Sequence, residues 1–194
     1  GGESIDALQQ QLTELASAYE ASAQKLSAVR QQAAQTMAAE INQQLQKLSM
    51  EGAELLAQLK PVSEGEFRAS GLEEVEFVIA TNPGQPHKPL AKIASGGELS
   101  RVSLAIQVVA AGHSKIPTLV FDEVDVGIGG STADIVGQLL KTLGDRGQVI
   151  SVTHQPQVAA QADHHYRGSE VIGANNAESL MVALARQRWG DELA

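Results

Sequence analysis

Apolar residues recur every three or four positions from the start of the chain, at Ile5, Leu8, Leu12, Leu15, Tyr19, Leu26, Val29 and Ala33. That spacing lines them up on one stripe of an α-helix. Beyond Ala33 the stripe moves to Met37, Ile41, Leu45 and Leu48, with two successive steps of four that form a stutter in a heptad pattern. Residues 4 to about 59 hold no proline and Gly52 as their one glycine. The pattern therefore predicts an unbroken helix ended by Pro61, roughly 80 Å long at 1.5 Å per residue. A narrow stripe flanked by Gln, Glu and Lys fits one strand of a coiled coil, whose partner is another chain or a returning segment. An amphipathic helix lying on a globular core is the alternative.

The pattern changes after Pro61. "PVSEGEFRASG" is a connector, and "EEVEFVIAT", residues 73–81, alternates into the apolar run of a strand. "NPGQPHKP" is a proline-rich loop that fits neither a helix nor a central strand. Leu99 to about Ala111 is helical and closed by Gly112. "PTLVFDEVD", residues 117–125, is a short apolar strand ending in carboxylates, and "VGIGGSTADIVGQLLKTLG" is a glycine-rich turn and helix with Ser131 or Thr132 as cap. "GQVISVTH", residues 147–154, is a second apolar strand, ending at His154. "RGSEVIGANN" is turn-rich, and a helix-like run follows from Ala177 to Trp189, with Trp189 as a packing residue. Successive strand–helix units predict an α/β fold with a mostly parallel sheet. The division expected is an arm, residues 1–60, and a globular lobe, residues 61–194.

Composition narrows the function classes. A chain of 194 residues can bury a real core. The absence of cysteine excludes disulfides and thiolate metal sites, and suits a reducing compartment. A net charge of -9 argues against a surface that coats nucleic acid nonspecifically, because that needs clustered Lys and Arg. No run approaches the length of a membrane span and no leader pattern is visible, so the expectation is a cytoplasmic protein with no membrane partner.

The candidate chemistry gathers at three places. Ser95-Gly96-Gly97 lies just before a helix N-terminus, where exposed amides and the helix dipole attract an anion and glycine lets a phosphate approach. A plain N-cap at Ser95 is the other reading. Asp122-Glu123 follows an apolar strand, at the edge where open α/β sheets bind ligands. Acids there hold hydrated Mg²⁺ and act on water, or are solvated loop charges. His154 closes the second strand in the same manner, so the two units point to one shared site. His87, His113, His164 and His165 read as loop or surface residues, and Lys88, Lys92 and Arg101 as cations near the first loop in sequence.

Together, "TNPGQPHKPLAKIASGGELSR", "FDEVDVGIGG" and "VTHQPQVAAQADHHY" span residues 81–166 and carry a resemblance. Their order resembles the C-terminal half of an ABC-type ATPase head of the SMC-like group, and within it a bacterial DNA-repair branch. The resemblance implies an α/β C-terminal lobe with a mostly parallel sheet and a long N-terminal coiled-coil helix. It matches Ser95, Gly96, Gly97 and Glu98 to the signature loop that reaches the γ-phosphate of ATP held by a partner head. It matches Asp122 to the aspartate that positions Mg²⁺ through water, Glu123 to the general base, Asp125 to the D-loop aspartate and His154 to the switch histidine on the γ-phosphate.

The implied cofactors are ATP and Mg²⁺. The implied partners are an N-terminal P-loop half of the same protein, a second copy joined through ATP-sandwiched heads, and DNA. The implied activity is double-strand break repair and recombination by ATP-driven head engagement and DNA tethering, in the cytoplasm at the nucleoid. G-x-x-x-x-G-K-[ST] occurs nowhere in the sequence, so the chain is expected to be a C-terminal fragment that is inactive alone. The last segment matches the group's terminal helix only loosely. The alternatives are a non-catalytic coiled-coil module with a degenerate lobe, and another SMC-like protein of chromosome maintenance.

Overall fold

The computed structural model describes residues 2–184. In chain order the elements are α1 (Gly2–Lys47), β1 (Glu54–Pro61), β2 (Glu73–Ala80), β3 (Lys88–Pro89), a single 3-10 turn (Leu90–Lys92), α2 (Gly96–Ala111), β4 (Leu119–Phe121), α3 (Gly130–Gly144), β5 (Val149–Ser151), α4 (Pro156–Ala159), β6 (His165–Ile172) and β7 (Ala177–Leu184). They fall into two units, one formed by the chain up to Asn42 with Ala53–Lys92, the other by Gln43–Gly52 with the chain from Ile93 onward.

The first unit joins a long helix to a small sheet. α1 is a single helix of 46 residues, about 70 Å at 1.5 Å per residue, but it ends fourteen residues before Pro61, not at it. Leu45 O accepts from both Leu48 N and Met50 N at 3.1 Å, and Ser49 takes φ 58, so the helix closes on a left-handed residue in the manner of a Schellman cap. Serine occupies the place where glycine is usual, which removed the ordinary stop signal from the sequence. "ELLAQLKP" then forms β1 instead of continuing the helix, because all eight of its residues pair antiparallel with β2 from Glu54↔Ala80 to Pro61↔Glu73. Tertiary pairing outweighs the helix propensity of Leu, Ala and Gln.

The sheet order is β1-β2-β3, and Pro89 sits on the short edge strand, where its missing N–H does no harm. Leu55, Val78, Ile79 and Ala80 are buried. Asn42 on α1 pairs by its side-chain amide with the backbone of Leu55, accepting from Leu55 N at 2.8 Å and donating to Leu55 O at 3.0 Å. The connector 62–72 lies on α1: Tyr19 donates to Arg68 O at 2.8 Å and meets the Phe67 ring edge-on at 5.1 Å. Ser27 donates to the Glu73 carboxylate at 2.7 Å. Gly71 is required there twice over, since its φ is 93 and a Cβ would lie 3.0 Å from Leu26 Cδ2.

The second unit is an α/β assembly. β4 and β5 pair in parallel, Leu119↔Val149 to Phe121↔Ser151, with α3 as the crossover between them. Val102, Leu104 and Ala105 of α2, Ala133, Val136, Leu140 and Leu143 of α3, and Val158 of α4 are buried with Phe121 and Val124. Gly137 admits α4, for a Cβ there would stand 3.0 Å from Gln157 O. Two sequence expectations change. The N-cap of α3 is Gly129, while Ser131 and Thr132 lie inside the helix and Thr132 Oγ1 shares a 2.8 Å hydrogen bond with Ser49 Oγ. The stretch from Ala177 to Leu184 is a strand, paired with β6 across the 173–176 turn closed by Gly173 N donating to Asn176 O at 2.7 Å. The partner strand, which the turn-rich reading of "RGSEVIGANN" missed, overrides the helix formers there. Residues 185–189 of that expected helix, with Trp189, lie outside the described residues. His165 opens β6 half-buried instead of sitting in a loop.

Replacing Asn42 by alanine strands the N–H and C=O of Leu55 without their partner. The expected loss is about 2 kcal/mol of unfolding free energy, measured by urea denaturation of the chain, and an unchanged midpoint would dismiss the pairing.

Candidate functional site

Parallel pairing puts the carboxyl ends of β4 and β5 side by side, and Val152 N donating to Phe121 O at 3.0 Å extends the pairing one residue past β5. The residues that follow are therefore neighbours on one sheet edge: Asp122, Glu123 and Asp125 after β4, and Thr153 and His154 after β5. Asp122, Glu123 and His154 are exposed, whereas Asp125 is 3% exposed. Its carboxylate accepts a hydrogen bond from Thr153 Oγ1.

The glycine loop arrives from α2. Ser95 is the N-cap, extended at φ -87 and ψ 123, with its Oγ accepting from Glu98 N at 3.3 Å. The plain N-cap thus exists, and it leaves the loop open to a second task, because the amides of a helix's first turn have no partner within the helix. Glu98 in that turn complements the helix dipole. The carboxylate of Glu123 lies against Gly96 so closely that a Cβ there would collide with Oε2. Gly97 is buried, and a Cβ on it would stand 3.0 Å from Val126 O and 3.2 Å from Arg101 Nη1. The two glycines make room for the turn after β4.

That turn is closed by Val126 N donating to Glu123 O at 3.1 Å, and Glu123 takes φ 61, the left-handed region that non-glycine residues seldom enter. Its carbonyls are held from α2. Ser100 Oγ donates to Asp122 O, and Arg101 Nη1 donates to Val126 O at 2.8 Å and to Val124 O at 3.4 Å. Arg101 is 6% exposed. Burial lowers the pKa of its guanidinium, and the nearby Glu98 carboxylate acts in the opposite direction. Arg101 is thus a buried backbone anchor, neither a phosphate-facing cation nor a solvated one. Thr153, Ser100 and Gln155, whose Nε2 donates to Ile128 O at 2.8 Å, were equally unmarked in the sequence. Only the position of Thr153 and Gln155 on either side of His154, and of Ser100 three residues after Gly97, signalled them.

Among the described residues no three His, Cys, Asp or Glu side chains gather into a metal cage. Asp122 and Glu123 fit the smaller demand of Mg²⁺, which uses one or two carboxylates beside waters and substrate phosphates. No helix among the described residues is long and apolar enough to cross a membrane.

No family model matches the chain. The Smc head domain with a coiled coil and joint from Pyrococcus yayanosii superposes with a TM-score of 0.65 at 22% identity, covering 98% of this chain and 34% of that one. The Smc head domain with an extended coiled coil from Pyrococcus furiosus, solved with the C-terminal domain of ScpA, gives 0.57 at 19% identity, covering 93% and 42%. The fold is that of part of an SMC head domain with its coiled coil. Sequence makes the assignment narrower. DNA repair protein RecN of Xylella fastidiosa strain 9a5c is 51% identical over 172 residues, which is 89% of this chain and 31% of the relative. RecN of Haemophilus influenzae is 47% identical over 167 residues, 86% and 30% respectively, and RecN of Vibrio cholerae 42% over 192 residues, 99% and 34%. The chain belongs to the RecN family. It spans about a third of the length of the curated relatives it matches.

The two glycines respond differently to a methyl group. Gly97→Ala presses on a backbone carbonyl and a buried guanidinium and should lower stability by about 1–3 kcal/mol. Gly96→Ala meets the free end of a side chain and should stay within about 1 kcal/mol of the parent. Thermal unfolding of both variants checks the contrast, and equal losses would contradict the close fit at Gly97.

Proposed function

We propose that this chain supplies one half of a split ATP-hydrolysing site in a RecN-type DNA repair protein: the signature loop, the acidic pair and the switch histidine. The observation that carries this reading is Glu123, held at φ 61 with its carboxylate on Gly96. A left-handed backbone costs a non-glycine residue about 1–2 kcal/mol, and glycine would remove that cost. Strain of this kind collects where a side chain has work to do. A carboxylate set at a sheet edge by its backbone, beside a helix N-terminus suited to phosphate, is what water attack on a phosphoryl group requires.

In the proposed reaction a water oxygen bonds to the γ-phosphorus as the bond to the leaving ADP oxygen breaks, and the water proton passes to Glu123. His154 donates a hydrogen bond to a γ-phosphate oxygen. Ser95, Gly96, Gly97 and Glu98 form the loop that receives a nucleotide gripped by the P-loop lobe of a second head, and Asp125 is the D-loop aspartate that links the two sites. Mg²⁺, held with Asp122, would neutralise charge on the phosphates. The exposed stripe of α1 is the seam for the other strand of the arm. ATP-driven engagement of two such heads, with DNA between or beside them, would tether broken ends.

Mg-ATP hydrolysis is measured for the chain alone and after mixing with a separately made N-terminal half bearing a P-loop. Activity is expected only in the mixture, and Glu123→Gln should reduce it at least about 10²-fold while nucleotide still binds. A confirmed complex that hydrolyses nothing would overturn the assignment.

Ser95→Arg places a bulky cation on the signature loop. It should abolish ATP-dependent dimerisation, followed by light scattering, with nucleotide affinity of the P-loop lobe within about twofold of the parent. Undiminished dimerisation would remove the loop from the contact between heads.

A further inference from the structure

The turn after β4 is gripped at every second carbonyl. Asp122 O accepts from Ser100, Val124 O and Val126 O from Arg101, and Ile128 O from Gln155. Two of these donors sit on the first turns of α2, beside Ser95-Gly96-Gly97, and the third directly follows His154. A further tie runs through the middle of the turn. The buried carboxylate of Asp125 accepts from Thr153 Oγ1, which itself accepts from Gln155 N at 3.0 Å. Segment 122–128 is therefore a bridge, bonded on one side to the glycine loop's helix and on the other to the two residues that flank His154.

Ordinary packing does not explain the donors chosen. Arg101 is 6% exposed, its Nε has no hydrogen-bond partner, and its donated bonds go to carbonyl oxygens of the bridge. An aliphatic side chain would fill that place without desolvating a charge. What the guanidinium adds is a donor on a long, rigid end: Nη1 alone serves both carbonyls, Val126 O at 2.8 Å and Val124 O at 3.4 Å. Thr153 likewise offers a hydroxyl where the nearly isosteric valine would pack as well.

We propose that Arg101 and Thr153 are positioning residues that lock the glycine loop, the Glu123 turn and His154 into one unit, so that a nucleotide seated on the loop sets the histidine and the base together. Neither side chain touches the nucleotide. The inference rests on the ATPase reading above and adds to it the residues that transmit contact at Ser95-Gly97 to the groups doing the chemistry.

The test uses the chain assembled with the P-loop lobe. Steady-state kcat and KM for Mg-ATP are measured for the parent, Thr153→Val, Thr153→Ser and Arg101→Lys, with thermal unfolding of each and Glu123→Gln as control. Thr153→Val is expected to lower kcat about 10²-fold with KM within about threefold, because the groups are misplaced while nucleotide binding is intact. Thr153→Ser should recover to within about threefold of the parent, and Arg101→Lys, which keeps the charge but ends one atom short of the place of Nη1, should fall with Thr153→Val. Parent kcat in Thr153→Val and Arg101→Lys beside a dead Glu123→Gln would overturn the inference and leave the ATPase reading standing. So would an altered melting temperature with unaltered kcat, or a loss that Thr153→Ser does not rescue. Full turnover by Glu123→Gln would bring down the ATPase reading itself, and this inference with it.

Discussion

Arg101 carries a full charge into the protein interior, and the shape of the site follows from how that charge is satisfied. Withdrawing a guanidinium from water costs several kcal/mol unless other contacts replace those of the solvent. Here the replacements include Val126 O at 2.8 Å and Val124 O at 3.4 Å. Burial lowers its pKa, yet arginine stays charged at any pH a cell meets. The turn must therefore keep both carbonyls aimed at α2. With those fixed and Val126 N bonded back to Glu123 O, Glu123 is left in the left-handed region, its side chain directed at Gly96. Buried Gly97 is a condition of the same arrangement, because any side chain there would press on Val126 O and the guanidinium.

A second constraint governs α1. From Ile5 to Leu15 the apolar stripe is bare, with Ile5 59% and Leu12 67% exposed, whereas Ile41, Leu45 and Leu48 are fully buried. Between them Tyr19 is half-buried and Ala23 is 5% exposed, where the connector lies on the helix. One helix thus has a bare apolar stripe at one end and core residues at the other. The helix closes after these core residues, at a left-handed Ser49.

Where a residue type is tied to a place at the end of an element, the sequence could be read directly. Ser95 before a helix, Asp122-Glu123 after an apolar strand and His154 after the next strand each announced themselves, and the parallel pairing of β4 with β5 brought the last three to one edge. Two strands could not be read. "ELLAQLKP" and "AESLMVAL" are rich in helix formers, and what makes them strands is a partner distant in sequence for the first and across a four-residue turn for the second. The stop of α1 was hidden because serine stands where glycine would have marked it. Arg101 stood only as one of three cations near the glycine loop, since nothing in a linear pattern tells a buried guanidinium from a solvated one. Thr153 and Gln155 escaped notice because a hydroxyl or amide acquires its role from the carbonyl or carboxylate it meets.

In the proposed site, exposure is divided in a way that suits assembly from two pieces. Asp122, Glu123 and His154 face solvent, while Arg101, Val124 and Asp125 are buried beneath them. Groups that meet a nucleotide delivered by another lobe must be open before that lobe arrives. If they were merely open, each would have to be ordered at the moment of reaction, and that ordering would add to the barrier. Buried bonds to the backbone remove most of this cost in advance, since they fix where each exposed side chain begins without covering where it ends. The left-handed turn at Glu123 is the visible strain of that solution, sustained by hydrogen bonds from two separate stretches of chain that converge on a single seven-residue segment.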